Sequence, residues 1–333
     1  MEGKNVGHVW KKAVLLQPNH QTDFDKMVNR VLIRLKTVQV IYAYYQNGGQ
    51  NQKLADRELA QSLDSAYTLY ETLLYFPVFF ARMARKSVER QKRMGAPRIS
   101  RKEELLSSNR CFAVLEENAQ LAAFAEGNGL EWLEHSDFLK DSYQALLDSD
   151  VMEEYCQNDK FDFQTDREFW KKAYKSLFQE NEAFDTLLEE QNIYWNGDKE
   201  LIDSFVMKTL RTLLPEEGGE QPLQKEFKDE EDRQFALDLL HAALACKDER
   251  ETLIAANCRR WDPSRLAFMD VLIIQTALAE MLHIPGVPVK VTINEYVELA
   301  KLLSTPASGS FVNGMLDTIA KDLSAQGKLN KEL

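Results

Sequence analysis

Helix-starting and helix-stopping residues recur so densely between Asp229 and Leu323 that this stretch is constrained to a run of short helices joined by tight turns. In Trp261-Asp262-Pro263-Ser264, Asp262 suits an N-cap and Pro263 the first helical position, where its missing N–H costs nothing, so a helix is predicted to begin there. Leu266, Met269, Ile273, Ala277 and Met281 follow at helical spacing. His283-Ile284-Pro285-Gly286 ends the element, because Pro285 disfavours helical geometry in the residue before it. Thr292 and Glu295 read as a capping box, with Ile293, Val297 and Ala300 behind them. Ser308 or Ser310 can cap a last helix containing Phe311-Val312-Asn313-Gly314, in which Gly314 would admit a neighbouring backbone.

Upstream the same period continues and strand alternation is nearly absent, so the fold class is all-α. Residues 1–26 show no clear periodicity and are expected to be loosely ordered; Met27 then directly precedes a helical pattern, so either Met1 or Met27 can serve as the start. After the polar loop 46–52, helical spacing runs through Leu59, Leu63, Tyr67, Tyr70 and Leu74 until Pro77 is expected to break or kink it. Further helices are predicted over 78–94, 110–125, 137–155, 166–180, 181–191, 198–214, 231–244 and 250–259, with a second capping box at Thr165 and Glu168. Residues 215–222, rich in Pro and Gly, form the clearest linker. Tyr67, Tyr70, Phe76, Phe79, Phe169, Trp170 and Tyr174 fall at spacings that suit a hydrophobic core better than base stacking.

A chain of 333 residues with 44% hydrophobic residues has ample material for a core. No run of about eighteen apolar residues exists to cross a membrane, and Met1-Glu2-Gly3-Lys4 does not open a secretory signal, so a cytoplasmic protein is expected. Cys111, Cys156, Cys246 and Cys258 are widely separated and the five histidines are scattered, which argues for free thiols in a reducing compartment and against a metal site. Phosphate-loop, dinucleotide, H-E-x-x-H and G-x-S-x-G motifs are all absent. No catalytic activity, cofactor or small-molecule substrate is therefore expected.

The formal net charge of −12 is awkward for a nucleic-acid binder, because affinity for phosphate rests on lysines and arginines that release counterions. The charge is segregated, however. Between Arg82 and Lys102 nine lysines and arginines, among them Arg85, Arg90 and Arg93, stand against Glu89 alone, whereas 146–232 is dominated by Asp and Glu. The basic block is either a solvated helix face or a phosphate-facing surface. Asp270 is the lone acid in an apolar octapeptide, Ala267 to Ile274. An unpaired buried carboxylate is very costly, so Asp270 is expected at the surface, or else bonded to an arginine such as Arg265.

Trp261…Arg265-Leu266, Val291-Thr292-Ile293-Asn294-Glu295-Tyr296-Val297-Glu298-Leu299-Ala300-Lys301 and Phe311-Val312-Asn313-Gly314 occur in an order that resembles NusB-type transcription antitermination proteins. Asn29-Arg30-Val31-Leu32-Ile33-Arg34-Leu35-Lys36-Thr37-Val38-Gln39-Val40-Ile41-Tyr42 is similar to the first helix of that family. The two pieces cover roughly a third of the chain and bracket a long insertion. The resemblance implies a NusB-like helical bundle enlarged by an inserted helical region, which packs on the N-terminal half of the bundle or forms a separate docking module. Its parts would be an extension 1–26, an N-terminal helical part 27–228 (first helix 28–45 plus the insertion), a C-terminal helical domain 229–325 and a tail 326–333. It implies binding rather than chemistry, with a boxA-like ribosomal RNA leader, the ribosomal protein NusE and the transcription elongation complex as partners.

Carried over position by position, the resemblance implies RNA contacts from Arg30, Arg34 and Lys36 of the first helix and from Gln275, Ser310, Phe311 and Asn313. Arg85, Arg90 and Arg93 of the insertion are candidates from charge alone. Asp270, Asn294, Glu298 and Lys301 match the side that would face NusE. The sequence departs from the family pattern in three places. Gln275 stands where many members have arginine, Val31 and Leu32 where further arginines often stand, and the loop before Phe311 lacks a lysine. Each departure removes positive charge from the expected RNA face, so a protein-binding scaffold of the same fold without strong RNA affinity is the alternative reading.

Overall fold

The computed structural model describes residues 24–128, 130–195, 197–224, 227, 230–245, 247–257, 266–305, 307–329 and 331. Among them the regular structure is helical: α1 (Phe24–Gln46), α2 (Gln52–Arg93), α3 (Arg101–Ser107), α4 (Arg110–Glu117), α5 (Ala119–Asn128), α6 (Glu131–Glu134), α7 (Asp137–Asp148), α8 (Asp150–Cys156), α9 (Phe163–Phe178), α10 (Glu182–Gln191), α11 (Lys199–Thr212), α12 (Glu230–Leu244), α13 (Lys247–Asn257), α14 (Phe268–His283), α15 (Val289–Leu303) and α16 (Ser308–Ala325). Two compact units emerge, one formed by 1–63 with 226–333 and the other by 64–225. The expected N-terminal part 27–228 is thus divided, its first helix grouping with the C-terminal helices and most of the insertion forming a unit of its own.

In the first unit α14 is the central strut, contacted by α1, α12, α13, α15 and α16. Every residue from Leu272 to Met281 is buried. Ten consecutive buried positions span all faces of a helix, which marks an element enclosed by its neighbours rather than an amphipathic one. Around it pack Leu35, Val38 and Ile41 of α1, Leu239 and Leu240 of α12, Leu299 of α15, and Val312, Leu316 and Ile319 of α16. Each such side chain removed from water contributes roughly 1.5–3 kcal/mol.

The second unit is built on aromatic residues. Phe76, Phe80, Phe112, Trp170, Tyr174, Phe178 and Phe184 are buried, with ring centroids 4.5 Å apart for Phe76–Phe178 and 5.2 Å for Phe112–Trp170. The core expectation for Tyr70, Phe76, Phe79, Phe169, Trp170 and Tyr174 agrees with their burial; Tyr67 is half-buried. Short helices start where a side chain can satisfy a free backbone N–H: Asn109 accepts from Phe112, Ser136 from Leu139, Ser149 from Met152 and Asn181 from Phe184.

Several local expectations are corrected. Pro77 does not break α2, which continues through it where buried Phe76, Val78, Phe79 and Phe80 hold it against the roughly 3 kcal/mol that an interior proline costs. The helix expected over 137–155 is two, because Ser149 is extended and caps α8. The capping box at Thr165 is displaced: Asp162 is the N-cap and accepts the Thr165 N–H at 2.9 Å. Asp262 and Pro263 lie outside the described residues, and α14 starts at Phe268. Thr292 does not cap α15, which begins one turn earlier behind Pro288. Gly314 faces open space; the crowded glycine is Gly309, where an added Cβ would sit 2.8 Å from Cγ of Lys301. No described helix is long and apolar enough to cross a membrane.

Candidate functional site

A central helix with no exposed face must find partners for its polar side chains inside the protein, and α14 does so residue by residue. Asp270 accepts from Ser308 Oγ of α16 at 3.0 Å, Gln275 Nε2 reaches Glu251 Oε1 of α13 at 3.4 Å, and Thr276 Oγ1 donates to the Leu272 carbonyl at 2.8 Å. Glu280, fully buried, is the hub. It accepts from Arg34 Nε of α1 at 2.8 Å and Arg34 Nη2 at 3.0 Å, from Thr292 Oγ1 at 2.8 Å and from Tyr296 OH at 3.2 Å, both on α15. Arg34 Nη1 also reaches Glu295 Oε2 at 3.4 Å, and Lys331 Nζ donates to the Glu280 carbonyl at 3.0 Å.

This cluster joins residues 246 positions apart and fixes α1 against the C-terminal helices. The forked, two-bond geometry is the strong form of a carboxylate pair. Burial by itself would lower the Arg34 pKa, but the charge and hydrogen bonds of Glu280, with Tyr296 and Glu295, outweigh it and raise the pKa above the usual value. Burial raises the Glu295 carboxyl against the opposing pull of Arg34, and burial beside Glu280 holds the Tyr296 hydroxyl well above its ordinary range.

The positions of the candidate residues follow. Arg34, Lys36 and Gln275, expected as RNA contacts, are buried, at 2%, 1% and 4% exposure, because α1 and α14 pack against neighbouring helices. Asp270 is also buried, against the expectation of exposure, with the Ser308 hydroxyl in place of water as its donor; its Oδ1 has no partner among the described residues, and Arg265 lies outside them. Arg30 remains partly exposed. It pairs with Asp232 at 2.8 Å, and its guanidinium lies 4.8 Å from the centroid of the Phe235 ring. Ser310 and Asn313 are exposed and Phe311 is half-buried, all in the first two turns of α16. Asn294, Glu298 and Lys301 are exposed on α15, with Lys301 Nζ 2.6 Å from Glu298. In the second unit Arg85 is committed to Glu116, at 2.5 and 2.7 Å, while Arg90 and Arg93 are exposed. Sequence reasoning missed Glu280, although the argument that flags a lone carboxylate in an apolar helix applies to it as fully as to Asp270.

The sequence model of the NusB family matches residues 204–321. The transcription antitermination protein NusB of Salinibacter ruber is 38% identical over 132 residues, which are 38% of this chain and 82% of that protein. The chain belongs to the NusB family. Similar NusB proteins of Koribacter versatilis and Geobacter sulfurreducens are 40% and 39% identical over 100 and 95 residues, covering 30% and 28% of this chain and 68% and 69% of theirs. No solved structure matches the chain. These matches span most of each of the three relatives but only 28–38% of this chain, and the family match at 204–321 leaves most of the aromatic second unit outside it.

Proposed function

We propose that this NusB-family protein is a transcription antitermination factor that binds a boxA-like ribosomal RNA leader together with the ribosomal protein NusE, within the transcription elongation complex. The observation that carries the reading is the 38% identity over 82% of a transcription antitermination protein NusB. The accessible residues of α16 support it. Ser310 and Asn313 offer hydrogen-bonding groups on either side of Phe311, whose half-exposed ring could stack a splayed base for about 1–3 kcal/mol. Arg30, partly exposed on α1, would reach a phosphate only by sharing its guanidinium with Asp232. Asn294, Glu298 and Lys301 form the NusE-facing set, and Asp270, being buried, acts on that face only through Ser308.

One observation favours a second reading, a scaffold that docks NusE or the transcription machinery without strong RNA affinity. Three of the residues carried over as RNA contacts are buried in a chain of net charge −12. A titration of labelled boxA-like RNA against the full-length protein, with and without NusE and across salt concentrations, separates the two. Preference for boxA over a scrambled RNA that is lost in Phe311→Ala supports antitermination by RNA recognition. NusE binding without any RNA preference would replace it by the scaffold.

A further inference from the structure

We infer that the C-terminal end of α2, in the second unit, is an additional RNA-binding surface that grips phosphates without reading sequence; this rests on the reading of the protein as an RNA-binding factor. At about 100° per residue, Lys86, Arg90 and Arg93 fall within roughly 60° of arc on one face of α2. All three are exposed, whereas Ala81, Ala84 and Val88 on the opposite face are buried. The neighbouring cations sort into two groups. Arg82 and Arg85 share the one carboxylate of Glu116, and Lys102 pairs with Glu153. Lys86, Arg90 and Arg93, with Arg98 beyond the Gly95 turn, have no carboxylate partner among the described residues.

Cations in the last turn of a helix also complement its dipole, which accounts for Arg90 and Arg93 but not for Lys86, two turns back, or Arg98, outside the helix. A stripe of uncompensated charge on a chain of net charge −12 fits a polyanion. An RNA backbone fits better than a lipid surface: an interfacial helix needs a free apolar face to insert, and here that face is occupied by the core of the unit. The inference also revises the candidate set, with Lys86 in place of the paired Arg85.

The test uses full-length protein carrying Lys86→Gln, Arg90→Gln and Arg93→Gln together, labelled boxA-like and scrambled RNAs with long single-stranded flanks, and anionic phosphatidylserine vesicles. Three lost phosphate contacts lower the slope of log affinity against log salt by about 2, so the affinity gap between wild type and variant narrows roughly tenfold to twentyfold from about 50 to 200 mM salt. Both RNAs are expected to weaken equally, leaving any boxA preference intact, and thermal melting confirms that the exposed substitutions preserve the fold. Retained boxA preference with an unchanged salt slope would overturn the stripe and leave the functional reading standing. Binding without boxA preference that the variant abolishes would keep the stripe and remove that reading. No binding of wild type to either RNA, or a variant defect confined to vesicles, overturns the inference.

Discussion

Replacing Arg34 by alanine removes a cation bonded to two carboxylates, Glu280 with a fully buried side chain and Glu295 with 12% side-chain exposure. Thr292 and Tyr296 would still donate to Glu280, but neither brings charge. Breaking a buried pair by deleting one partner costs about 3–5 kcal/mol, a large part of the roughly 5–15 kcal/mol that holds a typical protein together. At roughly 2–4 °C per kcal/mol for a unit of this size, melting of the first unit falls by about 6–20 °C. Hydrogen exchange of α1, α14 and α15 peptides reports that unit separately from the aromatic one. Arg34→Lys is expected to lose part of the stability, since an ammonium cannot reproduce the two-bond fork. Pairing Arg34→Met with Glu280→Leu removes both desolvated charges and recovers most of the loss. Unchanged exchange protection in Arg34→Ala, accompanied by weaker RNA binding, would show that the arginine faces RNA and that the buried-anchor account is wrong.

Ser308→Ala leaves both oxygens of buried Asp270 without a donor among the described residues and removes the acceptor of the Thr305 N–H; urea denaturation is expected to show a loss of about 1–3 kcal/mol, and an unaltered midpoint would mean Asp270 has another donor, such as water. In the second unit, burial raises the Glu71 carboxyl against the opposing hydrogen bond from Gln120 at 3.0 Å. A raised folded pKa means that stability is fully present below the unfolded value and is lost as pH rises through the folded one. Glu71→Gln should therefore melt higher than wild type at neutral pH and equally below about pH 4, and a constant difference at every pH would contradict this. Burial, with Asp166 nearby, pushes the Cys111 thiol up to about 12, so mass mapping after native treatment with a thiol reagent near neutral pH should find Cys111 unmodified until the protein is unfolded.

The all-helical class and the pairing of an early helix with the C-terminal ones were legible because helix period and family motifs are local signals. Burial of charge was not, and α1 shows why. Reading Arg34 as an RNA contact takes for granted that a helix burying Leu35, Val38 and Ile41 keeps its opposite side in water. In the structure every residue from Leu32 to Val38 is buried, seven in succession, which leaves no side in water at all. The partner that makes this tolerable, Glu280, lies 246 residues away, beyond any window in which spacing carries information. Gln275 and Asp270 were misplaced for the same reason, since each sits on a helix enclosed by five others. Ser310, Asn313, Asn294 and Glu298 are exposed because α15 and α16 do keep a wet face. A run of apolar residues that covers every helical angle is therefore itself a sequence signal. Any charge inside it is read first as half of a buried pair, and the search for its other half belongs in another apolar helix that carries a charge of opposite sign, as α14 carries Glu280.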